Sequence, residues 1–370
     1  MMLLARFGVA ALALGTVLPA LGAALAEPPR QDASAFKYAG MARCNTKDCH
    51  GSDVPKGSPA LNEYNLWKGA DPHSRAFTTL YKAPSKAIGQ AMGIAKVHES
   101  AKCLSCHSRL VEPEKVMANV KWSLQNGVSC ELCHGPSEKW IEPHALPKEK
   151  KWSHEKSMEN GMIDLRDPAR WASHCASCHL QIDHDLVAAG HPKLHFELVD
   201  YNARTGAHWK TEKHPSMAAG FDAKMWTTGQ VVSLAEALRN LARHVKAGAK
   251  KELTDGAREQ AAAYARVLQH AGEIPADAAK LEELAAVVEA KLKGLAPADE
   301  SLLKTLAAGE APRDFSAARQ VALAFRALST RAAAKADLDK LCEQILAKNE
   351  KAFDAAKFAA GFDAVRAHFK

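Results

Sequence analysis

Apolar positions recur with helical spacing in only one half of the chain. Val231, Leu234, Leu238, Leu241 and Val245 follow one another at three- and four-residue steps, so they line one face of a helix. Leu281, Leu284, Val288 and Leu292 make a second stripe, and Phe358, Phe362, Val365 and Phe369 a third near the C-terminus. Gly272, the stretch 294–297 and the stretch 309–312 carry glycine or proline and interrupt the pattern. The prediction is an Ala-rich bundle of five or six antiparallel helices over residues 228–370. The stripes share no fixed period, so a solenoid is not expected. Before residue 227, Pro and Gly punctuate the chain closely and long elements are scarce. No strand pattern stands out. The fold class expected is mainly α: a loop-rich domain over residues 27–227, followed by an all-α helical bundle.

The N-terminus is a separate case. Arg6 is followed by an apolar run from Phe7 to Leu25, and Ala24-Leu25-Ala26 has the small-x-small pattern of a cleavage site. Residues 1–26 therefore read as a secretory signal peptide removed after Ala26. No later segment is long and apolar enough to span a bilayer. The mature chain is expected outside the cytoplasm with no transmembrane anchor.

Net charge is +7, and loss of Arg6 leaves +6. There is no long basic run, since Lys148-Glu149-Lys150-Lys151 is short and interrupted. This excludes a nucleic-acid signature.

Composition changes the picture for residues 27–227. All seven Trp, eight of nine Cys and fourteen of seventeen His precede residue 227. Such a half lacks the aliphatic residues for an ordinary core and needs something else to fold around. Its cysteines say what. Cys103-Leu104-Ser105-Cys106-His107, Cys130-Glu131-Leu132-Cys133-His134 and Cys175-Ala176-Ser177-Cys178-His179 each have the Cys-x-x-Cys-His form of c-type haem attachment. Each thiol adds across one haem vinyl group, and the following His lies under the iron as proximal ligand. Cys44 and Cys49, with four residues between them and followed by His50, form the same anchor if the intervening loop bulges outward. Zinc ribbons and disulfides need no His after every second Cys. Four haem c groups are thus expected, with His50, His107, His134 and His179 as proximal ligands. Cys342 is left over on a helix face and reads as a small buried hydrophobe.

Ten other His lie in this half. A second His on the iron gives a lower potential than Met does. His73 follows Asp71-Pro72, a helix start that aims its side chain. His98 precedes the second motif and His144 follows the third. His184 and His191 share a helix face only if the helix reaches Gly190. These five are the candidate distal ligands. His174 is too tethered to reach over its own haem, although a neighbouring one is within range. His208 and His214 sit in polar loop sequence and are expected to be exposed.

The stretch Gly127-Val128-Ser129-Cys130-Glu131-Leu132-Cys133-His134-Gly135-Pro136 resembles the third haem segment of the cytochrome c-554 family of tetrahaem proteins. Trp67 to Ala76, with His73, resembles the helix after its first motif. Ala188-Ala189-Gly190-His191-Pro192 with Phe196-Glu197 resembles a segment of larger multihaem relatives. The resemblance covers about residues 40–226. It implies a mostly helical fold with closely packed, mostly bis-His haems, and electron relay in the periplasm between redox partner proteins. By position it implies His73, His144 and His191 as distal ligands. The expanded first motif and the bundle after residue 227 depart from the family pattern. Electron transfer is therefore the function expected. The alternative is a multihaem oxidoreductase acting on a small nitrogen or oxygen species at an iron with no sixth ligand. No Cys-x-x-Cys-Lys motif of the nitrite-reductase kind is present. A third reading has the bundle docking the chain into a larger redox complex.

Overall fold

The computed structural model describes residues 35–54, 61–205, 208, 220–270, 272–346 and 350–370. The expected signal peptide and His214 lie outside these residues. Among the described residues there is no β-strand, only an isolated bridge between Tyr38 and Val116. The chain is mainly α, as the pattern predicts.

Short helices carry the first half: α1 (Glu63–Ala70), α2 (Ala83–Ala91), α3 (Ala101–His107), α4 (Cys130–His134), α5 (His154–Glu159), α6 (Pro168–His179), α7 (His184–Ala188) and α8 (Leu198–Arg204). Local chemistry starts them. The Asp167 side chain accepts from the backbone of Ala169 and Arg170 and Pro168 takes the first turn, which together cap α6. Glu197 caps α8 in the same manner. Among the described residues before 165, one apolar cluster forms and it is small: Phe77, Leu80, Val97 and Leu104. The aliphatic deficit seen in the sequence is real.

Among the described residues the second half holds seven α-helices, most of them longer: α9 (Phe221–Lys246), α10 (Lys251–Val267), α11 (Ala278–Ala290), α12 (Glu300–Ala308), α13 (Phe315–Leu328), α14 (Lys335–Leu346) and α15 (Ala355–Ala367). The third stripe is fully buried, with Phe358, Phe362, Val365 and Phe369 all at 2% exposure or less. The first stripe understates α9. Besides its apolar face, Thr227, Gln230, Ser233, Glu236, Asn240 and His244 are buried too. The reason is position: α9 packs against α6, α8, α10, α11 and α13, so it has no free face.

The expected boundary at residue 227 falls inside α9. The two halves also share a core. Ala172, Ala176 and Leu180 from α6 and its end, with Phe196 and Leu198, pack in one apolar cluster with Leu234, Leu238 and Leu241 of α9 and Tyr264 of α10. Polar contacts follow the same seam. Asp200 pairs with Arg319 at 3.1 Å, both nearly sealed from water. His244 Nε2 donates to the Ile182 carbonyl at 3.2 Å, and Gln260 donates to that of Leu194. Cys342 is buried on α14 among apolar neighbours, and burial pushes its thiol up to about 11. No helix of the described residues is long and apolar enough to cross a membrane.

Candidate haem centres

The three Cys-x-x-Cys-His motifs occupy helical turns: Cys103–His107 ends α3, Cys130–His134 is α4, and Cys175–His179 ends α6. Residues three apart on a helix share a face, so each turn presents its two thiols together with the histidine next in line. The first motif is not helical. The His50 amide donates to the Cys44 carbonyl at 3.0 Å and the Cys49 amide to Thr46 at 3.0 Å. The four intervening residues loop out and the chain returns, leaving His50 directly after Cys49 as in the shorter motifs.

Thiols of different motifs are neighbours. Cys44 hydrogen-bonds Cys130, which holds the Cys44 thiol far above its ordinary range. Cys106 hydrogen-bonds Cys178, which brings Cys178 down to about 7 while Cys106 rises. Cys175 lies close enough to Cys133 to oppose its ionisation, and burial raises both thiols, Cys175 to about 12. The anchors therefore run in space in the order first, third, fourth, second.

The histidines pair across these anchors. His50 faces His144 with ring centres 6.2 Å apart and planes 11° from parallel. His134 faces His208 at 6.4 Å and 74°, and His179 faces His73 at 5.8 Å and 65°. Two metal–nitrogen bonds of about 2 Å each, with roughly 1 Å from nitrogen to ring centre on either side, sum to about 6 Å. The separations thus suit one iron between each pair, and the residues present fit haem. His191 lies near enough to His107 to oppose its protonation.

Hydrogen bonds sort the rings further. Metal-bound His usually donates its other ring N–H to a carboxylate or carbonyl. His50 Nδ1 bonds Glu63 at 2.9 Å, and His73 Nδ1 bonds Asp71 at 2.9 Å. His107 Nδ1 donates to the Ala76 carbonyl at 3.0 Å, His144 Nδ1 to that of Ile141 at 2.6 Å, and His191 Nδ1 to that of Pro192 at 2.9 Å. A carbonyl only accepts, so Nδ1 carries the proton there and the Nε2 lone pair is left for a metal. Burial also disfavours the charged form of four of the facing rings. It lowers His134 to about 3 and His179 to about 4, and depresses His107 and His144. By contrast His154 and His368 spend Nε2 on Asp164 and Asp337.

Backbone detail fixes the pairs. Asp71 Oδ1 accepts from the His73 backbone amide as well as from its ring, each at 2.9 Å, so the cap of a 3-10 turn also aims the side chain. Gly127 has φ +61°, and a Cβ there would sit 2.5 Å from the His73 carbonyl. The glycine that opens the third segment is thus needed for its approach to His73.

Not every candidate meets a proximal ring. His98 stacks on Tyr81 with centres 4.6 Å apart and lines a cavity of about 500 Å³ with Leu80, Lys86 and Gln90. His184 faces His244 of α9 at 5.7 Å. Helix α7 ends at Ala188 and Gly190 has φ +100°, so His184 and His191 do not share a helix face. His174, adjacent to Cys175, bonds the Leu132 carbonyl. His208, expected to be exposed, is only partly so and stands over His134. Its polar loop gave no sign of this. Glu63 and Asp71 went unread as orienting partners, although Asp71-Pro72-His73 held the signal. So did Glu131, a buried carboxylate that accepts from Ala39, Gly40 and Ser137 backbone amides at 2.7–3.0 Å.

Residues 43–135 match the family described as cytochrome c554 and c-prime. The match covers about a quarter of the chain and takes in the first three motifs together with His73. It supports the resemblance read from the Trp67 and Gly127 segments, and it supports a c-type cytochrome with covalently bound haem iron, involved in electron transfer. No curated protein and no solved structure matches the chain.

Proposed function

We propose that the chain holds four haems, through Cys44 and Cys49, Cys103 and Cys106, Cys130 and Cys133, and Cys175 and Cys178, and passes electrons along them in the periplasm. The observation that carries this reading is the set of paired histidines at 5.8–6.4 Å, each pair joining a motif His to a second His from elsewhere. His144 serves as distal ligand opposite His50, His208 opposite His134, His73 opposite His179, and His191 opposite His107. Haem supplies reversible one-electron chemistry at each place. Burial disfavours the charged form of His107, His134, His144 and His179, and Glu63, Asp71 and backbone carbonyls orient the rings. Contact between anchors of different motifs supports close haem spacing. Donor and acceptor are other redox proteins outside the cytoplasm. Nothing in this reading involves nucleic acid.

One observation favours the alternative of an open iron, and it concerns His107. Among the described residues its partner His191 lies nearby without forming a ring pair like the other three. A small nitrogen or oxygen species reacting at a haem would meet it there.

Intact mass and electron paramagnetic resonance test both points. The mature chain is expected to carry the mass of four haems and to show low-spin iron. A gain of three would remove Cys44 and Cys49 from the set. A high-spin signal in the wild type that H191A leaves unaltered would assign the open iron to His107, whereas a new high-spin signal in H191A would place His191 on that iron. An unchanged low-spin count in H208A would remove His208.

A further inference from the structure

The bundle contributes none of these ligands, yet its side chains converge on the ring that flanks one of them. His179 is bracketed by Phe196, with centres 6.0 Å apart and planes 13° from parallel, and by Tyr201, edge-on at 4.8 Å. Phe196 is wholly buried. Its carbonyl accepts two hydrogen bonds from the bundle: Tyr264 Oη of α10 at 2.7 Å and Gln320 Nε2 of α13 at 3.0 Å. Gln230 Nε2 of α9 in turn donates to Gln320 Oε1 at 3.0 Å. Three helices thus fix one backbone carbonyl. Tyr201 is held by the same body, because Asp200 beside it pairs with Arg319 of α13.

We infer that Tyr264 and Gln320 are positioning residues for the iron centre of His179 and His73, setting the ring angle of His179 through Phe196. This rests on the proposed ligation of that centre. The argument is one of packing. Two aromatic rings confine His179, one nearly parallel and one perpendicular, so its ring plane follows theirs. The two donors hold the Phe196 backbone in place, since in a dry site neither donor nor acceptor finds water in exchange, and close packing around the wholly buried side chain then leaves its ring no room to turn. Outer partners of this kind tune ligand orientation and potential at metal sites. The other three centres have no such link to the bundle core through Phe196. The effect is therefore confined to one haem of four.

The test uses the full-length, haem-loaded protein and two variants. Y264F keeps the ring and removes only the donor to Phe196. F362L loosens the bundle at a distance, where Phe362 packs on Phe325 and Phe358. Low-temperature resonance spectra and a redox titration followed at the Soret band are read for each, because the anisotropy of a bis-His signal follows the angle between its ring planes. Y264F is expected to shift one low-spin signal and one of the four reduction steps, with haem count and the other signals unchanged. F362L is expected to lower the unfolding midpoint and leave every signal in place. Unchanged signals and steps in Y264F would overturn the inference, as would the same shift in F362L, since stability alone would then explain it. Failure of the underlying ligation would appear separately, as a wild-type protein without four bis-His signals.

Discussion

Ending the chain after residue 220 removes the whole bundle and asks whether the cysteine-rich half is a domain by itself. Sequence composition says yes, since every haem motif precedes this point. Packing says otherwise. Leu180, Phe196 and Leu198 are at 1% exposure or less, in a cluster whose other members lie largely on α9, α10 and α11. Burying a Leu or Phe side chain contributes about 1.5–3 kcal/mol, so these three contribute roughly 5–9 kcal/mol. That is an upper figure, because an unfolded chain already hides some apolar surface. It still rivals the net stability of a typical protein, about 5–15 kcal/mol. Asp200 would also lose Arg319. The truncated chain is therefore expected to loosen from α6 to α8, where the fourth motif and His191 lie. Limited proteolysis is expected to cut between residues 168 and 204, which the intact protein protects. Soret circular dichroism is expected to change, and the first three motifs are expected to keep their haem. A truncated chain with the full protein's protease resistance and Soret spectrum would refute the reasoning.

Three further changes probe single residues. E131Q puts an amide NH2 in place of one carboxylate oxygen that accepts from the backbone. Hydrogen bonds to charged groups contribute about 1.5–3 kcal/mol, so a loss of that order is expected in urea unfolding, and a loss below about 0.5 kcal/mol would contradict it. D71A removes both the cap and the ring partner of His73. Loss of the cap costs about 1 kcal/mol, and one low-spin resonance is expected to broaden or shift, whereas D71N should retain most of it. Burial raises Glu197 from 4.5 to about 7, against the opposing pull of its amide donors. An acid raised in the folded state contributes stability fully below its unfolded value, and that contribution is lost as pH rises through the folded value. Stability should therefore fall by about 3 kcal/mol between pH 4.5 and pH 7, and E197Q should flatten this part of the urea-midpoint profile.

The helices of the second half were legible because burial there follows spacing. The stripe Phe358, Phe362, Val365 and Phe369 is buried in full. Their number was not, since five or six were expected and seven are present, because α12 (Glu300–Ala308) is short and sits between two glycine- and proline-bearing breaks. The four cysteine motifs were legible because covalent attachment requires a fixed spacing. Histidines that face a motif histidine were legible only where local backbone aims them. His73 has its cap and His144 its own helical turn, with ring bonds to carbonyls three and four residues back. His208 has no such local cue. Its place over His134 comes from tertiary packing, as does the separation of His98 and His184 from the proximal rings. The division near residue 227 followed the loss of Trp, Cys and His, but composition reports what a segment binds and not what it packs against.

The residue after the first cysteine of each short motif explains how the two kinds of core join. Thiols at positions one and four, with the histidine after them, claim one side of the turn for haem. The second position points elsewhere, and in all three motifs it is buried: Leu104 at 0%, Glu131 at 3% and Ala176 at 0%. Each is chemically matched to what lies behind it. Leu104 enters the small cluster of Phe77, Leu80 and Val97. Glu131 gathers amides from the segment at Ala39 and from Ser137, fastening the start of the described chain to α4. Ala176, with Ala172 one turn earlier, is small enough to let α6 lie against α9. The variable positions of the motif are therefore where the sequence records neighbours. A Leu specifies a local apolar cluster, a carboxylate specifies exposed backbone donors, and an Ala at four-residue spacing from another specifies a closely packed helix. On that argument the fourth motif is tied to the bundle by its own internal residue, and the haem half and the helical half are parts of one folded unit.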